Sequence, residues 1–547
     1  MEDALASIVA EERRIFAGHP VKAFQYGTAG FRERGELLET VVFRIGLLAA
    51  IRSKCTKATI GVMITASHNP VEDNGVKVVE PHGEMLLTQW EGFATAIANA
   101  RTEDLPGVVR SIVTDTGCDF DSSASVAFAR DTRPSSEPLA RILATGLTLI
   151  GAKHVDYGVL TTPQLHYMVR CINTGGEFGV ASEEGYYTKM ATAFRNLTSE
   201  LKHTRSVLKL DGANGVGAEK MAKLVGHLDN SGVLRVKIYN DGTTGTLNEK
   251  CGADYVKVQQ LPPVGLEFAT GDRCASFDGD ADRLMYFYKD NGGHFRLLDG
   301  DKISSLVAGF IAEKLKVLES DLSFGVVQTA YANGSSTTYL VETLRVPVSC
   351  ALTGVKYVHS KALHYDIGVY FEANGHGTVL FSHKAIESFK RIAASEEVAT
   401  PKTQAAKDLF QLSQLINQAV GDAISDLLLV EVVLSHRQWG CSDWEALYCD
   451  LANRQLKVKV KDRAVISTTD EERKCLTPVG LQTEIDILVS QFPKGRSFVR
   501  PSGTEDVVRV YAEAEGQSQA DHLAYLVALK VHELAGGIGE RPSPPKC

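Results

Sequence analysis

Residues 58–70 read ATIGVMITASHNP and continue as VEDNGVKVV to Val79. The run from Ala58 to Ile64 is apolar and bounded by turn-forming residues, which predicts a buried β-strand. Asn69-Pro70 fixes a turn just beyond it. Ser67 therefore stands at the carboxyl end of a strand, where α/β proteins place their ligand sites. A serine there is presented on a stiff loop. Gly75 permits a close backbone approach, and His68 and Lys77 offer acid–base function or charge. A plain turn whose serine caps a helix is the bland alternative. There is no Gly-x-Ser-x-Gly elbow, so an α/β-hydrolase reading has little support.

The same strand–loop–helix rhythm runs outward from this stretch. Strands are expected at 125–129, 206–210, 234–239, 273–277, 284–288, 323–329, 346–351 and 368–371, with helices at 137–149, from about Ala218, and at 302–315. Alternation of this kind predicts an α/β protein. Three tandem α/β units are expected at 1–200, 201–305 and 306–440. The remainder, 441–547, offers strands at 456–460, 497–500 and 507–513 and a helix at 519–534, so it reads as a smaller α+β domain. The polar stretches 115–125 and 394–407 are expected to be surface loops, and the tail GGIGERPSPPKC to be disordered.

The chain has 547 residues, enough for three or four domains of roughly 150 residues, and its 44% apolar and 23% charged content is that of a globular protein. A net charge of −9 argues against a nucleic-acid partner, which needs a basic face. An anionic small substrate remains compatible, because a local arginine cluster can act within an acidic whole. No apolar run reaches membrane-spanning length. The N-terminus lacks the apolar core of a signal peptide. The ten cysteines have neither CxxC nor zinc spacing and suit free thiols in a reducing compartment. A cytoplasmic location follows as the expectation.

Asp278-Gly-Asp280-Ala-Asp282-Arg283 is the strongest chemical signal. Three carboxylates at alternate positions can turn their oxygens toward one hard divalent cation, and Mg²⁺ would leave positions open for water or phosphate oxygens. Without a cation they would repel one another. An EF-hand would need glycine and glutamate where Arg283 and Lys289 stand, so that reading fails. A phosphatase with Asp278 as nucleophile is a rival, but it leaves the Ser67 loop without a role.

Two further loops carry polar chemistry. Glu372-Ala-Asn374-Gly-His376-Gly follows a strand and mixes donors and acceptors, as sugar hydroxyls require; Thr353 and Gly354 are weaker candidates for the same purpose. Arg500-Pro-Ser502-Gly503-Thr504, with Arg509 beyond it, offers hydroxyls, backbone N–H groups and two guanidinium forks suited to phosphate oxygens. The pattern is not a nucleotide-binding P-loop. Arg32 follows a glycine-flanked turn, and Arg130 and Arg133 close a strand, where they could serve either as ligands or as structural ion pairs.

Taken together, YGTAGFR, TASHNP, RDTRPSS, DGDADR, EANGHG and RPSGTEDVVRVYAEA resemble the motif set of the α-D-phosphohexomutases from Tyr26 to about Glu513. HNPVEDNGVKVVEPHG and FDGDADR followed by LLDGDKI are similar to the branch that acts on N-acetylglucosamine phosphates. The resemblance implies four domains around a central cleft, each contributing one loop. It implies interconversion of N-acetylglucosamine 6-phosphate and 1-phosphate through a bisphosphate, with a glucose- or mannose-phosphate mutase as the alternative. Ser67 would be the phosphoserine, with Asp278, Asp280, Asp282 and a phosphoserine oxygen holding Mg²⁺. Glu372, Asn374 and His376 match the sugar loop. Arg500, Ser502, Gly503, Thr504 and Arg509 match the loop for the non-reacting phosphate. Arg32 and Arg283 are candidates to stabilise transferring oxygens, and Lys77, then His68, to move the proton.

Overall fold

The computed structural model describes residues 1–16, 22–201, 205–228, 232–395, 400–502 and 506–545. The chain divides into two compact units: Met1–Gly300 with Asn374–Val379 and Ile386–Ser442, and Asp301–Ala373 with Leu380–Ala385 and Asp443–Cys547.

In the first unit, β1 (Phe31–Arg34), β2 (Thr59–Ile64), β3 (Asp73–Val79), β4 (Ser125–Arg130) and β5 (Lys153–Val159) pair in the order β1-β3-β2-β4-β5. β2, β4 and β5 are parallel, whereas β3 runs antiparallel to β1 and β2. All six residues of β2 are buried, with the helices Glu39–Thr56 and Thr162–Asn173 packed against it. The first of these helices is buried along most of its length. Within it Arg44 is fully buried, donating to the Glu12 carboxylate and to the carbonyls of Ile97, Ala98 and Ala100. A buried charge persists only when paired in this way.

A second sheet in this unit has the order β10-β9-β8-β6-β7, from β6 (Leu208–Asp211), β7 (Val236–Tyr239), β8 (Cys274–Phe277), β9 (Leu284–Lys289) and β10 (Phe295–Leu298). β6 is parallel to β7 and β8, and β9 is antiparallel to β8 and β10. The buried helix Ala423–Arg437 belongs here: Tyr286 Oη donates to Glu431 at 3.1 Å, and Arg273 Nη2 lies 3.2 Å from the same carboxylate.

In the second unit β11 (Phe324–Thr329) lies parallel between β12 (Val348–Ala351) and β13 (Ile367–Phe371). The chain passes between the units along β14 (Gly377–Phe381). β15 (Ala452–Lys459), β18 (Arg496–Pro501) and β19 (Val507–Ala514) form an antiparallel sheet in the order β15-β19-β18 beneath the helix Gln517–Leu534; β16 (Ser467–Thr469) and β17 (Lys474–Thr477) form a separate ribbon.

Two expectations are corrected. Residues 401–407, expected to be loop, open the helix Pro401–Leu415, which Thr400 caps through a reciprocal capping box with Pro401 in the first turn. The first part of the tail is tied down: Ile538 N donates to Lys459 O at 2.9 Å, and Arg541 donates to Glu533. No helix among the described residues is long and apolar enough to cross a membrane.

Candidate active site

β2 ends at the serine loop and β8 at the aspartate loop, both in the first unit. Ser67 and Ala281 take left-handed backbone angles, φ 53° and 57°, which turn each loop sharply off its strand. Gly279 lets the loops meet, since a Cβ there would lie 2.6 Å from the Ser67 carbonyl oxygen. As a result Ser67 Oγ donates to Asp278 Oδ2 at 2.7 Å. The other oxygen, Asp278 Oδ1, accepts the N–H groups of Asp282 (3.0 Å) and Arg283 (3.1 Å), which fixes the carboxylate's orientation.

Asp278, Asp280 and Asp282 are all buried and offer one ligand atom each within 4.8 Å of one another. Asp280 Oδ2 accepts from Thr162 Oγ1 at 2.6 Å, from Lys77 Nζ at 3.3 Å and from Thr65 Oγ1 at 3.4 Å. Lys77 Nζ also lies 3.6 Å from Asp282 Oδ2. Among the described residues, no hydrogen-bond donor reaches the buried Asp280 Oδ1 or Asp282 Oδ1. Two orphaned anionic oxygens beside a third carboxylate fit a divalent cation. Protein groups alone leave the cluster out of balance: burial, followed by the charges of Asp282 and Asp280, pushes the Asp278 pKa well above the carboxylate range.

Basic groups surround this cluster. Arg32 Nη1 lies 3.4 Å from His68 Nε2 and donates to Asn69 Oδ1 at 3.3 Å. Arg283 Nη1 pairs with Asp254 Oδ1 at 3.4 Å, and its Nε lies 3.9 Å from Asp278 Oδ2. Burial, then the charges of Arg283 and Arg32, depress the His68 pKa to about 2, so its imidazole is neutral. His376 Nδ1 is 3.7 Å from Asp282 Oδ1, while its backbone N–H donates to Asn374 Oδ1 at 3.0 Å. Gly375 O accepts from Leu284 N at 3.0 Å, which pins this loop to the start of β9. Thus Ser67, His68, Arg32, Lys77, the three aspartates, Arg283, Asn374 and His376 gather in the first unit.

Other residues hold these loops in place; of them, Asn248 and Thr162 were not singled out in the sequence. Arg133, paired with Asp131 at 2.9 Å, donates to the carbonyls of Ser67, Asn69, Pro70 and Asp73. It is a staple for the serine loop, whereas Arg130 simply pairs with Asp156. Asn248 Nδ2 donates to the carbonyls of Ser67 (2.9 Å) and Asn69 (3.0 Å). Thr162 opens the helix that follows its cap Thr161, and its N–H also donates to Asp280 O at 3.3 Å. The Thr-Thr-Pro helix start was readable as a cap signal; Asn248 carried no signal.

The second unit holds the other candidates. Arg500 on β18 faces Arg509 on β19 in the antiparallel register. Arg500 Nε lies 3.2 Å from Glu472 Oε1, and Thr353 donates to Glu472 Oε2 through its N–H (3.1 Å) and its hydroxyl. Gly354, at φ 126°, opens the helix Val355–Ala362. Ser502 N donates to Val507 O at 2.9 Å, and Glu372 follows β13. Gly503 and Thr504 lie outside the described residues.

Modules of mixed α/β sheets, with a serine hydroxyl set against an aspartate triplet, are the arrangement that the resemblance to the phosphohexomutases implies. Family models tile the chain accordingly: phosphoglucomutase/phosphomannomutase alpha/beta/alpha domain I over 45–105 and 96–181, phosphoacetylglucosamine mutase AMG1 domain II over 177–285 and domain III over 299–439, and the phosphoglucomutase/phosphomannomutase C-terminal domain over 454–530. Phosphoacetylglucosamine mutase of Homo sapiens is 55% identical, covering 95% of this chain and 96% of its own; that of Saccharomyces cerevisiae is 46% identical, covering 91% and 93%. The structure is similar to that of Aspergillus fumigatus N-acetylphosphoglucosamine mutase in complex with GlcNAc-6P and magnesium, with a TM-score of 0.93, 48% identity, and 97% and 99% of the two chains covered. A serine-to-alanine form of that enzyme in complex with glucose 1,6-bisphosphate matches at a TM-score of 0.92 and 47% identity, with the same coverage. The chain belongs to the phosphoacetylglucosamine mutase family.

Proposed function

We propose that this chain interconverts N-acetylglucosamine 6-phosphate and N-acetylglucosamine 1-phosphate, with Ser67 carrying the phosphoryl group. The observation that carries this reading is the 2.7 Å contact from Ser67 Oγ to Asp278 within a buried triplet of carboxylates. Phospho-Ser67 would give up its phosphoryl group as the P–O bond to Oγ breaks and a P–O bond to the free sugar hydroxyl forms, the hydroxyl proton passing to a base and the freed Oγ taking up a proton. The bisphosphate so formed would turn over and return its other phosphoryl group to Oγ by the reverse step. Such transfers depend on alignment and charge neutralisation more than on covalent activation.

Asp278, Asp280 and Asp282, with an oxygen of phospho-Ser67, are the residues to hold Mg²⁺. When bound, the cation supplies Lewis-acid neutralisation of phosphoryl charge. Arg32, beside His68, and Arg283, beside Asp278, are assigned to the transferring oxygens. Lys77, held between Asp280 and Asp282, is assigned the proton transfer. His68 is neutral and acts as a hydrogen-bonding partner. Glu372, Asn374 and His376 are assigned to the sugar, with Thr353 and Gly354 as supporting groups, and Arg500, Ser502, Gly503, Thr504 and Arg509 to the non-reacting phosphate. A phosphatase with Asp278 as nucleophile fits less well, because both its oxygens already accept hydrogen bonds from Ser67 and the backbone. The nine cysteines among the described residues are all free, which supports a reducing, cytosolic setting.

The test is intact mass together with turnover. The chain should carry one phosphate that phosphatase treatment removes, and Ser67→Ala should lose both the phosphate and the mutase activity while keeping its circular dichroism and melting behaviour. A fully active Ser67→Ala protein rules this reading out.

A further inference from the structure

Residues directly opposite on antiparallel strands share a face, and like charges there repel. Arg500 and Arg509 form such a pair, so this face calls for an anion. The chain supplies one of its own. In the turn between β16 and β17, three successive non-glycine residues, Asp470, Glu471 and Glu472, have φ of 53°, 49° and 71°, a conformation L residues rarely adopt. The turn delivers the Glu472 carboxylate to Arg500 and Thr353. Both members of the ion pair are largely enclosed, with side-chain exposures of 16% for Arg500 and 12% for Glu472.

The fit is incomplete. Among the described residues, Arg500 Nε sits within ion-pair distance but completes no hydrogen bond. The Tyr331 ring lies 5.9 Å from the Arg500 guanidinium carbon. Buried donors left without acceptors are costly. This cluster therefore has room for more acceptor oxygens than one carboxylate brings. A phosphoryl group brings three, with close to two negative charges.

We infer that Glu472 is an internal counter-ion of this cradle, displaced when a phosphoryl group binds, and that this exchange lowers the cradle's apparent affinity for the anion. The inference rests on the assignment of Arg500 and Arg509 to phosphate and states what sets their affinity. The oxygens of a bound phosphoryl group take the place of the carboxylate beside Arg500. Apparent affinity falls by the fraction of molecules whose cradle is open, so a latch closed nine-tenths of the time weakens binding about tenfold.

The experiment is calorimetric titration of the full-length, dephosphorylated chain with N-acetylglucosamine 6-phosphate and with its monoanionic 6-sulfate analogue. Wild type is compared with Glu472→Gln, Glu472→Asp and Arg500→Gln. Aspartate keeps the charge but is one methylene too short to hold Arg500, which separates release of the latch from simple loss of a nearby negative charge. Both Glu472 variants should bind the phosphate and the sulfate about five- to tenfold more tightly, by the same factor for each, because the open fraction is a property of the protein alone. Unchanged or weaker binding in both, or tightening in Glu472→Gln alone, overturns the inference while a weakened Arg500→Gln leaves the phosphate assignment standing. An Arg500→Gln protein that binds as tightly as wild type overturns the assignment and the inference together.

Discussion

Thr162 holds Asp280 Oδ2 with its hydroxyl at 2.6 Å and anchors the Asp280 carbonyl with its N–H at 3.3 Å. It is thus a positioning residue: it fixes one oxygen of the carboxylate so that the other, Oδ1, stays free for a cation. Groups that orient a metal-binding carboxylate are worth about 10–100-fold in metal affinity or activity. Thr162→Val keeps the shape of the side chain and removes the hydroxyl. Its Mg²⁺ requirement should rise by about that factor, with the melting temperature little changed, and Thr162→Ser should restore it. A Mg²⁺ titration of mutase activity reads the effect; a Thr162→Val protein with the wild-type Mg²⁺ curve removes the positioning role. The three aspartates that Thr162 serves were legible from spacing alone, because alternate carboxylates in one short loop have few other uses. Thr162 was not, because it lies more than a hundred positions away and only the fold brings it to Asp280.

The strands and loops show the same division between what periodicity reveals and what packing decides. β2, β4, β6, β8, β9, β11 and β13 could be read as apolar runs ending in turns. β3 was hidden, since Asp73, Asn74 and Gly75 open it and read as turn residues; pairing with β1 and β2 overrides that local preference. The helix Pro401–Leu415 was hidden by its polar first turn. The RDTRPSS turn allowed two readings of its arginines, and burial decides between them: Arg133 is 2% exposed and stitches the serine loop to the end of β4, while Arg130 is a half-buried ion pair. A guanidinium that serves four carbonyls and a carboxylate has no substitute in an ammonium group, which lacks the planar fork. Arg133→Lys should therefore destabilise the protein by about 2 kcal/mol or more and lower turnover, because Ser67 loses its support. Thermal unfolding and steady-state rates measured on one preparation would test it. Wild-type stability with wild-type turnover would show that Asn248 alone can hold the loop.

The cation-binding candidates are confined to one of the two compact units, which gives metal removal a spatial signature. Asp278, Asp280 and Asp282 all lie in Met1–Gly300. Burial, then the charges of Asp282 and Asp280, raise the proton affinity of Asp278. A ligand that binds only the folded state stabilises it by about 2.7 kcal/mol at a concentration one hundred times its dissociation constant. Mg²⁺ at that level should raise the unfolding temperature by a few degrees, and a chelator should reverse the shift. A single melting temperature is poorly defined for a chain of several domains, so hydrogen exchange resolved along the sequence is the better measurement. Mg²⁺ should slow exchange at the amides of Asp282 and Arg283, which the Asp278 carboxylate holds, and across β8 and β9. The amides of β15, β18 and β19, in the other unit, should be unaffected. Asp280→Asn should fold and yet lose the response. Equal protection of both units, or an undiminished response in Asp280→Asn, would place the cation elsewhere, and the assignment of these carboxylates would fall with it.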